Sequence, residues 1–415
     1  MRWQFLDDFD ADYKRSILEN IDRFWSVFEQ RNVSLTNQFG RTLSEAECSE
    51  LQDSARSEVI WVGNWLGKLD ERLMWECERL ADGRFLFVVT PEQSYELRSL
   101  ANTVIDRAPH LDDWSFSAYR QPVSIDLLES AFDARQGGTI PRDLTFALAR
   151  NDSNSIDVSF SSKSFRTDNA EEDMGTCILV CELLLGEEFS EQWLGLVQTK
   201  KSPGLLSRVF GMKTADLTPS QLVAEVSALR KEIVSALPRE PYHRAQPLDV
   251  RTSARQVIGR KPPEADSPIF FLDRVTWSCL VPPVLNAAVI GSFYFSSHRF
   301  SNSGETFCYV ASSCAGGTDA VLEYKDTTEA LLDTTLRDAD LGCAIGSGGG
   351  LEYAYVDLSL TDVQQAVKLL RRLCSENQLS QQSWLLFYDY QFKDEWVNLG
   401  SQNKSPPSCL MLRNQ

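Results

Sequence analysis

The sequence predicts an α+β protein in which a helical N-terminal region is followed by ferredoxin-like (split βαβ) units. Three observations support this prediction: helical periodicity near the N-terminus, a β-α-β pattern that occurs three times, and a proline-rich stretch before the last copy. The predicted parts are a helical N-terminal region at 1–82, a ferredoxin-like α+β domain with a C-terminal helix at 83–237, a proline-rich basic linker at 238–266, and a C-terminal α+β domain at 267–415.

The first 80 residues show the spacing of amphipathic helices. Apolar residues recur at intervals of three and four, at Ile17, Ile21, Phe24 and Phe28. A second helix is predicted from the capping sequence Ser44–Glu47 to about Leu80. Its tryptophans Trp61, Trp65 and Trp75 would suit ligand stacking, but a stripe that faces the core is the better interpretation.

The β-α-β pattern begins near residues 85, 156 and 353. Two such units in sequence give β-α-β-β-α-β, the ferredoxin-like plan, which we predict for 84–200 and again for 300–395. Turn residues Asn151–Asn154 join the first strand of the second copy to a strand at 146–149 that precedes it, and a capping box at Thr218–Gln221 starts a further helix.

Composition excludes several classes of protein. The net charge of −18 opposes binding to nucleic acid or to an anionic membrane, and suits a partner with a basic surface. No stretch has the length and apolarity of a membrane span, and the N-terminus lacks the features of a signal peptide. We therefore expect a cytoplasmic protein without a membrane partner.

The ten cysteines are scattered and contain no CxxC motif, so we expect buried free thiols rather than disulfides or metal ligands. Cys177 and Cys181 are one helical turn apart and could share a ligand. Met174 and Ile178 are assigned to the same helical face, which favours burial of all four side chains.

No catalytic, cofactor-binding or metal-ligating residue can be assigned. The three histidines, His110, His243 and His298, are far apart in sequence. Gly346–Gly350 looks like a phosphate loop but precedes a strand, whereas a phosphate loop opens a helix. A flexible hairpin loop is the preferred interpretation, and a functional loop that clamps a ligand against the sheet is the alternative.

The charge is distributed unevenly. Residues 200–261 contain twelve Lys or Arg and five Asp or Glu, a net of +7, and since the whole chain carries −18 the remainder carries −25. This basic stretch should be attracted to the acidic parts on either side of it. Within it, possible partner contacts are Lys200, Lys201, Arg208, Phe210 and Lys213, basic and aromatic residues around an apolar run.

The repeated unit, with Trp114 or Trp384 at the start of its return strand and the segment Leu184–Glu187, resembles uncharacterised bacterial domains of ferredoxin-like fold. These domains are in turn distantly similar to the ribonuclease E inhibitor family, small acidic proteins that bind a larger enzyme. The resemblance covers 84–200 and, less closely, 340–395. It implies a fold and a protein partner, and it transfers no functional residue.

The leading prediction is a cytoplasmic protein-interaction or regulatory protein whose protein partner is unknown. An enzyme of unknown reaction with a site near the Gly346–Gly350 loop is one alternative. A nucleic-acid binder that uses the basic 200–261 segment is the other, and it requires those cations to form one exposed face.

Overall fold

The computed structural model describes most of the chain. The described residues are 2–5, 10–39, 54–92, 94–165, 170–201, 217–245, 256–259, 274–285, 295–314, 316–401 and 404–410. The chain divides into two compact units, Met1–Arg120 and Gln121–Gln415. Both contain helices and β-sheet, which confirms the predicted α+β class.

The first unit combines helices with a three-stranded sheet. Its elements are α1 (Ala11–Phe39), α2 (Ser54–Leu66), β1 (Met74–Arg79), β2 (Phe85–Thr90), α3 (Arg98–Asp106) and β3 (Trp114–Ser117). Strand β2 lies in the centre, antiparallel to β1 and parallel to β3. The β-α-β unit predicted from residue 85 is therefore confirmed, and its central strand is buried along its whole length.

The second predicted helix ends earlier than its periodicity indicated. Its predicted start at Ser44–Glu47 lies outside the described residues, and α2 ends at Leu66. The chain then turns at Asp70, whose carboxylate accepts hydrogen bonds from Arg72, and continues as β1. The predicted helical region 1–82 thus supplies a strand that pairs with β2. The helix prediction for these residues is wrong because cross-strand pairing outweighs a weak local preference.

The core of this unit contains several aromatic side chains packed against one another. The predicted apolar stripe is confirmed, since its members Ile17, Ile21, Phe24 and Phe28 are all buried. The Trp61 ring stacks on Phe24 with 5.5 Å between centroids, and the Trp75 ring stacks on Phe87 at 5.6 Å. Both tryptophans therefore pack against the core, as the sequence interpretation expected.

A second three-stranded sheet opens the second unit. Its strands are β4 (Thr145–Arg150), β5 (Ile156–Ser162) and β6 (Leu194–Lys201). The helices around it are α4 (Leu128–Gln136), α5 (Ala170–Leu185), α6 (Glu187–Trp193) and α7 (Pro219–Ser235). As predicted, β4 and β5 are antiparallel and joined at Asn151–Asn154, and the capping box at Thr218 starts α7. Strand β6 is parallel to β5.

The strands of 84–200 do not form the single sheet that the ferredoxin-like plan requires. Strands β2 and β3 belong to the sheet of the first unit, whereas β4, β5 and β6 form a sheet of their own. Both edges of β2 are occupied by β1 and β3, and both edges of β5 by β4 and β6. The two repeats therefore cannot pair with each other through their central strands.

The C-terminal part forms a seven-stranded antiparallel sheet. Its strands are β7 (Gln256–Gly259), β8 (Arg274–Cys279), β9 (Thr306–Ser313), β10 (Gly342–Gly350), β11 (Tyr353–Leu360), β12 (Ser383–Phe387) and β13 (Trp396–Asn398). The strand order is β13-β12-β9-β11-β10-β8-β7. The helices are α8 (Tyr242–Ala245), α9 (Pro282–Leu285), α10 (Thr318–Asp338) and α11 (Val363–Ser375).

The glycine-rich sequence Gly346–Gly350 is part of strand β10 and is not the predicted hairpin loop. Strand β10 is buried throughout and pairs with β8 on one side and β11 on the other. A Cβ at Gly346 would lie 2.7 Å from the backbone oxygen of Ser278, and a Cβ at Gly348 would lie 2.6 Å from that of Thr276. The glycines are required by close strand packing. The interpretation of Gly346–Gly350 as a loop, whether flexible or clamping a ligand, is therefore wrong.

The first residues of the predicted linker 238–266 are folded onto the domain that follows. The Tyr242 amide donates to the Glu305 carboxylate at 2.8 Å, and the Asn302 side-chain amide donates to the Pro238 carbonyl at 3.3 Å. Most of the remaining linker lies outside the described residues. Helix α8 is therefore held by hydrogen bonds to residues near strand β9.

Candidate functional site

The predicted partner contacts lie mostly outside the described residues. Arg208, Phe210 and Lys213 are not described. Lys200 is exposed near the end of β6, and Lys201 is the last residue of that strand. A contact role for these five residues stays a prediction.

One part of the basic stretch 200–261 does meet an acidic group. In α8, the Arg244 guanidinium donates two hydrogen bonds to the Asp340 carboxylate, and His243 Nε2 lies 2.8 Å from Asp340 Oδ1. The hydrogen bonds from Arg244, followed by that from His243, lower the pKa of Asp340 to about 2. The expected attraction between the basic stretch and its acidic neighbours is confirmed at this point.

A buried ion pair lies beside the glycine-rich strand. Arg274 in β8 donates from Nη2 to Oδ1 of Asp357 in β11 at 2.7 Å, and the Tyr388 hydroxyl donates to the same oxygen at 2.5 Å. Both charged side chains are almost fully enclosed. Strand β10 separates β8 from β11, and a Cβ on Gly348 would lie 3.2 Å from the Arg274 side chain. Glycine at that position leaves the space in which the pair meets.

The electrostatics of this cluster favour a structural role. Burial by itself lowers the pKa of Arg274, but the interactions with Asp357, Tyr388 and Tyr355 together outweigh this effect and the net shift is upward. Burial raises the pKa of Tyr388 well above its ordinary value. Neither group exchanges a proton near neutral pH, which general acid–base catalysis would require. The pair therefore holds β8 and β11 in register across β10.

Eight cysteines are described as free thiols, of which six are buried, whereas Cys77 and Cys314 are half-buried. They are Cys77, Cys177, Cys181, Cys279, Cys308, Cys314, Cys343 and Cys374. Burial raises the pKa of Cys177 to about 12, so this thiol stays protonated and is a poor nucleophile. In the described ranges, no group of three or more His, Cys, Asp or Glu side chains is arranged to hold a metal ion.

Helix α5 exposes apolar side chains that the sequence assigned to its buried face. Cys177 and Cys181 are buried as predicted, but Met174 is 39% exposed and Ile178 is 46% exposed. These two residues are one turn apart and form an exposed apolar pair. The assignment of all four to one buried face is wrong because apolar residues occur on opposite sides of this helix. Val180, for example, is also fully buried.

Helix α7 packs against α5 and also exposes one large apolar side chain. Its buried residues share one core cluster with those of α5, and the two helices pack together. Val223, in the second turn of α7, is 45% exposed. The sequence prediction placed α7 correctly but did not identify this residue, because it lies outside the apolar stripe of the helix. We call Glu171, Glu172, Met174, Ile178 and Val223 the α5–α7 face.

The α5–α7 face is acidic. Glu171 and Glu172 lie in the first turn of α5 and are exposed, and Met174 follows two residues later. Carboxylates at this end of a helix are stabilised by the helix dipole. An exposed apolar pair next to carboxylates suits a partner surface that is both apolar and basic.

Among the described residues, no helix has both the length and the apolarity needed to cross a membrane.

Comparisons with known proteins identify no relative of this chain. No protein-family model, no curated protein and no solved structure matches this chain.

Proposed function

We propose that this chain is a cytoplasmic protein-interaction or regulatory protein, and that it binds its protein partner through the α5–α7 face. The observation that supports this proposal is the exposure of Met174 and Ile178 on one helix. Large apolar side chains grouped at the surface and bordered by polar residues are typical of interaction sites. Single exposed apolar residues, by contrast, need no explanation.

The chemistry of the face favours a protein over a nucleic acid. Carboxylates at Glu171 and Glu172 repel phosphate groups, whereas nucleic-acid binding needs exposed cations. A flexible apolar residue such as Met174 adapts to a partner surface. The predicted contacts at Lys200, Lys201, Arg208, Phe210 and Lys213 would form a second, basic contact of the same complex.

The fold part of the proposal concerns the seven-stranded sheet. Its strands β12-β9-β11-β10 are neighbours in that order, and the chain connects them as β9-α10-β10-β11-α11-β12. This order and these connections support a ferredoxin-like unit at 306–387. With it, we keep as a proposal the distant similarity to the ribonuclease E inhibitor family, whose members act by binding a larger enzyme.

Affinity capture with matched variants tests the proposed function. The full chain serves as bait in native cytosol, as the wild type, as the double variant Met174→Gln/Ile178→Gln and as the control Leu351→Gln. Leu351 is 43% exposed and lies in the turn between β10 and β11 of the seven-stranded sheet, and it is not part of α5 or α7. Glutamine is a good helix former, so the double variant removes apolar surface without weakening α5.

We expect a specific protein to be captured equally by the wild type and the control. Its recovery with the double variant should fall at least about tenfold, which corresponds to about 1.4 kcal/mol of binding free energy. Equal recovery of the same proteins by all three baits would contradict the proposal.

A further inference from the structure

We propose that helix α8 is a releasable strap, which covers one end of the aromatic core beside the seven-stranded sheet and is held there by a charged contact with Asp340. Its release would be a conformational change that does not involve the α5–α7 face. Three features of the second unit support the proposal: the groups beneath α8, the contacts that hold it, and the polar atoms that the closed arrangement leaves without a partner.

The Tyr242 side chain of α8 covers groups at the edge of the sheet core. Its ring lies 5.7 Å from the ring centre of Phe307 in β9, and its backbone amide donates to the buried Glu305 carboxylate. Burial raises the pKa of the Tyr242 hydroxyl, and Glu305 raises it further. Cys279 of β8 and Cys343 of β10 act in the same direction, so both buried thiols lie near this hydroxyl. Lifting α8 would therefore uncover two thiols.

The charged contact that holds the strap is exposed. Arg244 donates from Nε to Oδ1 of Asp340 at 2.8 Å and from Nη2 to Oδ2, and the two side chains are 54% and 55% exposed. His243 Nε2 lies 2.8 Å from the same Oδ1. Exposed ion pairs contribute little to stability and are weakened by salt. Burial of the Tyr242 ring and a salt-sensitive contact therefore keep α8 closed together.

Two buried nitrogen atoms oppose the closed arrangement. His243 Nδ1 and Arg337 Nη2 make no hydrogen bond to any residue that the structure describes, although the His243 side chain is only 3% exposed. The two residues are in contact, because Arg337 Nη1 donates to the His243 carbonyl oxygen at 2.8 Å. A buried polar atom without a hydrogen bond destabilises the state in which it occurs. Opening of α8 would let water reach both atoms, so the strap is poised to open.

Thiol alkylation of the full chain tests the proposal. The protein is treated with iodoacetamide at constant pH, and mass spectrometry measures the rate at each cysteine at low salt and at about 0.5 M salt, where exposed charges are screened. Cys279 and Cys343 report the opening of α8. Burial raises the pKa of Cys343 to about 12, so this thiol reacts slowly while it is covered. Cys308 is the reference within the same sheet, because it is buried in β9 outside the core cluster that Tyr242 contacts.

Three single variants separate the charged contact from a general loss of stability. Asp340→Asn removes the carboxylate charge and preserves the backbone, because Asp340 has a φ of 58° and asparagine tolerates this left-handed region. Arg244→Gln removes the opposite charge. Asp338→Asn is the matched control, since Asp338 is exposed at the end of α10 and loses the same charge two positions away.

We expect Asp340→Asn to accelerate alkylation of Cys279 and Cys343 about threefold to fivefold at low salt, the size expected for one exposed ion pair. Arg244→Gln should have the same effect, and the double variant should add little, because both substitutions remove one contact. High salt should accelerate the wild type by a similar factor and change Asp340→Asn little. Asp338→Asn should match the wild type, and the Cys308 rate should be the same in all proteins.

Unchanged rates at Cys279 and Cys343 in both single variants of the contact would overturn the proposal, as would an equal acceleration by Asp338→Asn. A parallel rise at Cys308 would indicate unfolding of the whole sheet instead of release of a strap, and would overturn it as well. Equal rates in the wild type at low and high salt would show that charge does not hold α8.

Discussion

Strand β10 and helix α5 depart from the usual relation between residue type and burial in opposite directions. The strand is rich in glycine and is buried along its whole length, whereas the helix exposes Met174 and Ile178. In β10 the missing side chains leave space for neighbouring strands and for the Arg274–Asp357 pair. In α5 one apolar side fills the core and a second side faces solvent. Burial therefore follows from what surrounds an element, and side-chain hydrophobicity alone does not determine it.

The largest expected effect concerns the Arg274–Asp357 ion pair, which occupies the space that the glycines of β10 leave free. Asp357→Asn leaves the enclosed Arg274 cation without its counter-charge, and should lower the free energy of unfolding by about 3–5 kcal/mol. Urea denaturation of the full chain measures this loss. The double variant Arg274→Met/Asp357→Asn removes the uncompensated charge as well, so it should lose less than the sum of the two single variants. Strict additivity would contradict a direct pairing.

A matched pair of glycine substitutions compares the two regions directly. Gly348→Ala places a Cβ 2.6 Å from the Thr276 backbone oxygen and should cost about 1–3 kcal/mol of unfolding free energy, the range typical of overpacking. Gly175→Ala in α5 meets no atom within 4 Å and should stabilise the chain by about 0.5–1 kcal/mol, because alanine favours helix. Thermal denaturation should therefore shift in opposite directions. A neutral Gly348→Ala would mean that β10 tolerates a side chain.

The smallest expected effect concerns the exposed side of α5. The double variant Met174→Gln/Ile178→Gln should change the free energy of unfolding by less than about 0.5 kcal/mol per residue, as surface substitutions usually do. Urea denaturation beside Leu351→Gln provides the comparison. A loss of several kcal/mol would show that these side chains stabilise the fold, and the case for an interaction face would then fail.

Elements with a strong local signal were predictable from the sequence. The hairpin at Asn151–Asn154 and the capping box at Thr218 both form where the pattern indicated. In the β-α-β pattern predicted from near residue 353, helix α11 begins at Val363 after the N-cap Asp362, whose carboxylate accepts a hydrogen bond from the Gln365 amide. The candidate site was not predictable, because the same apolar residues in α5 fit either side of the helix.

The sequence by itself determined the α+β class, the hairpin at Asn151–Asn154 and the start of α7. The hairpin and the helix start depend on side chains and backbone only a few residues apart. Tertiary structure alone decided which side of α5 is buried, which strands join which sheet, and why glycines fill β10. These outcomes depend on partners that are distant in sequence. Arg274 and Asp357, for example, are separated by 83 positions, and they meet only because β8 and β11 lie on either side of β10.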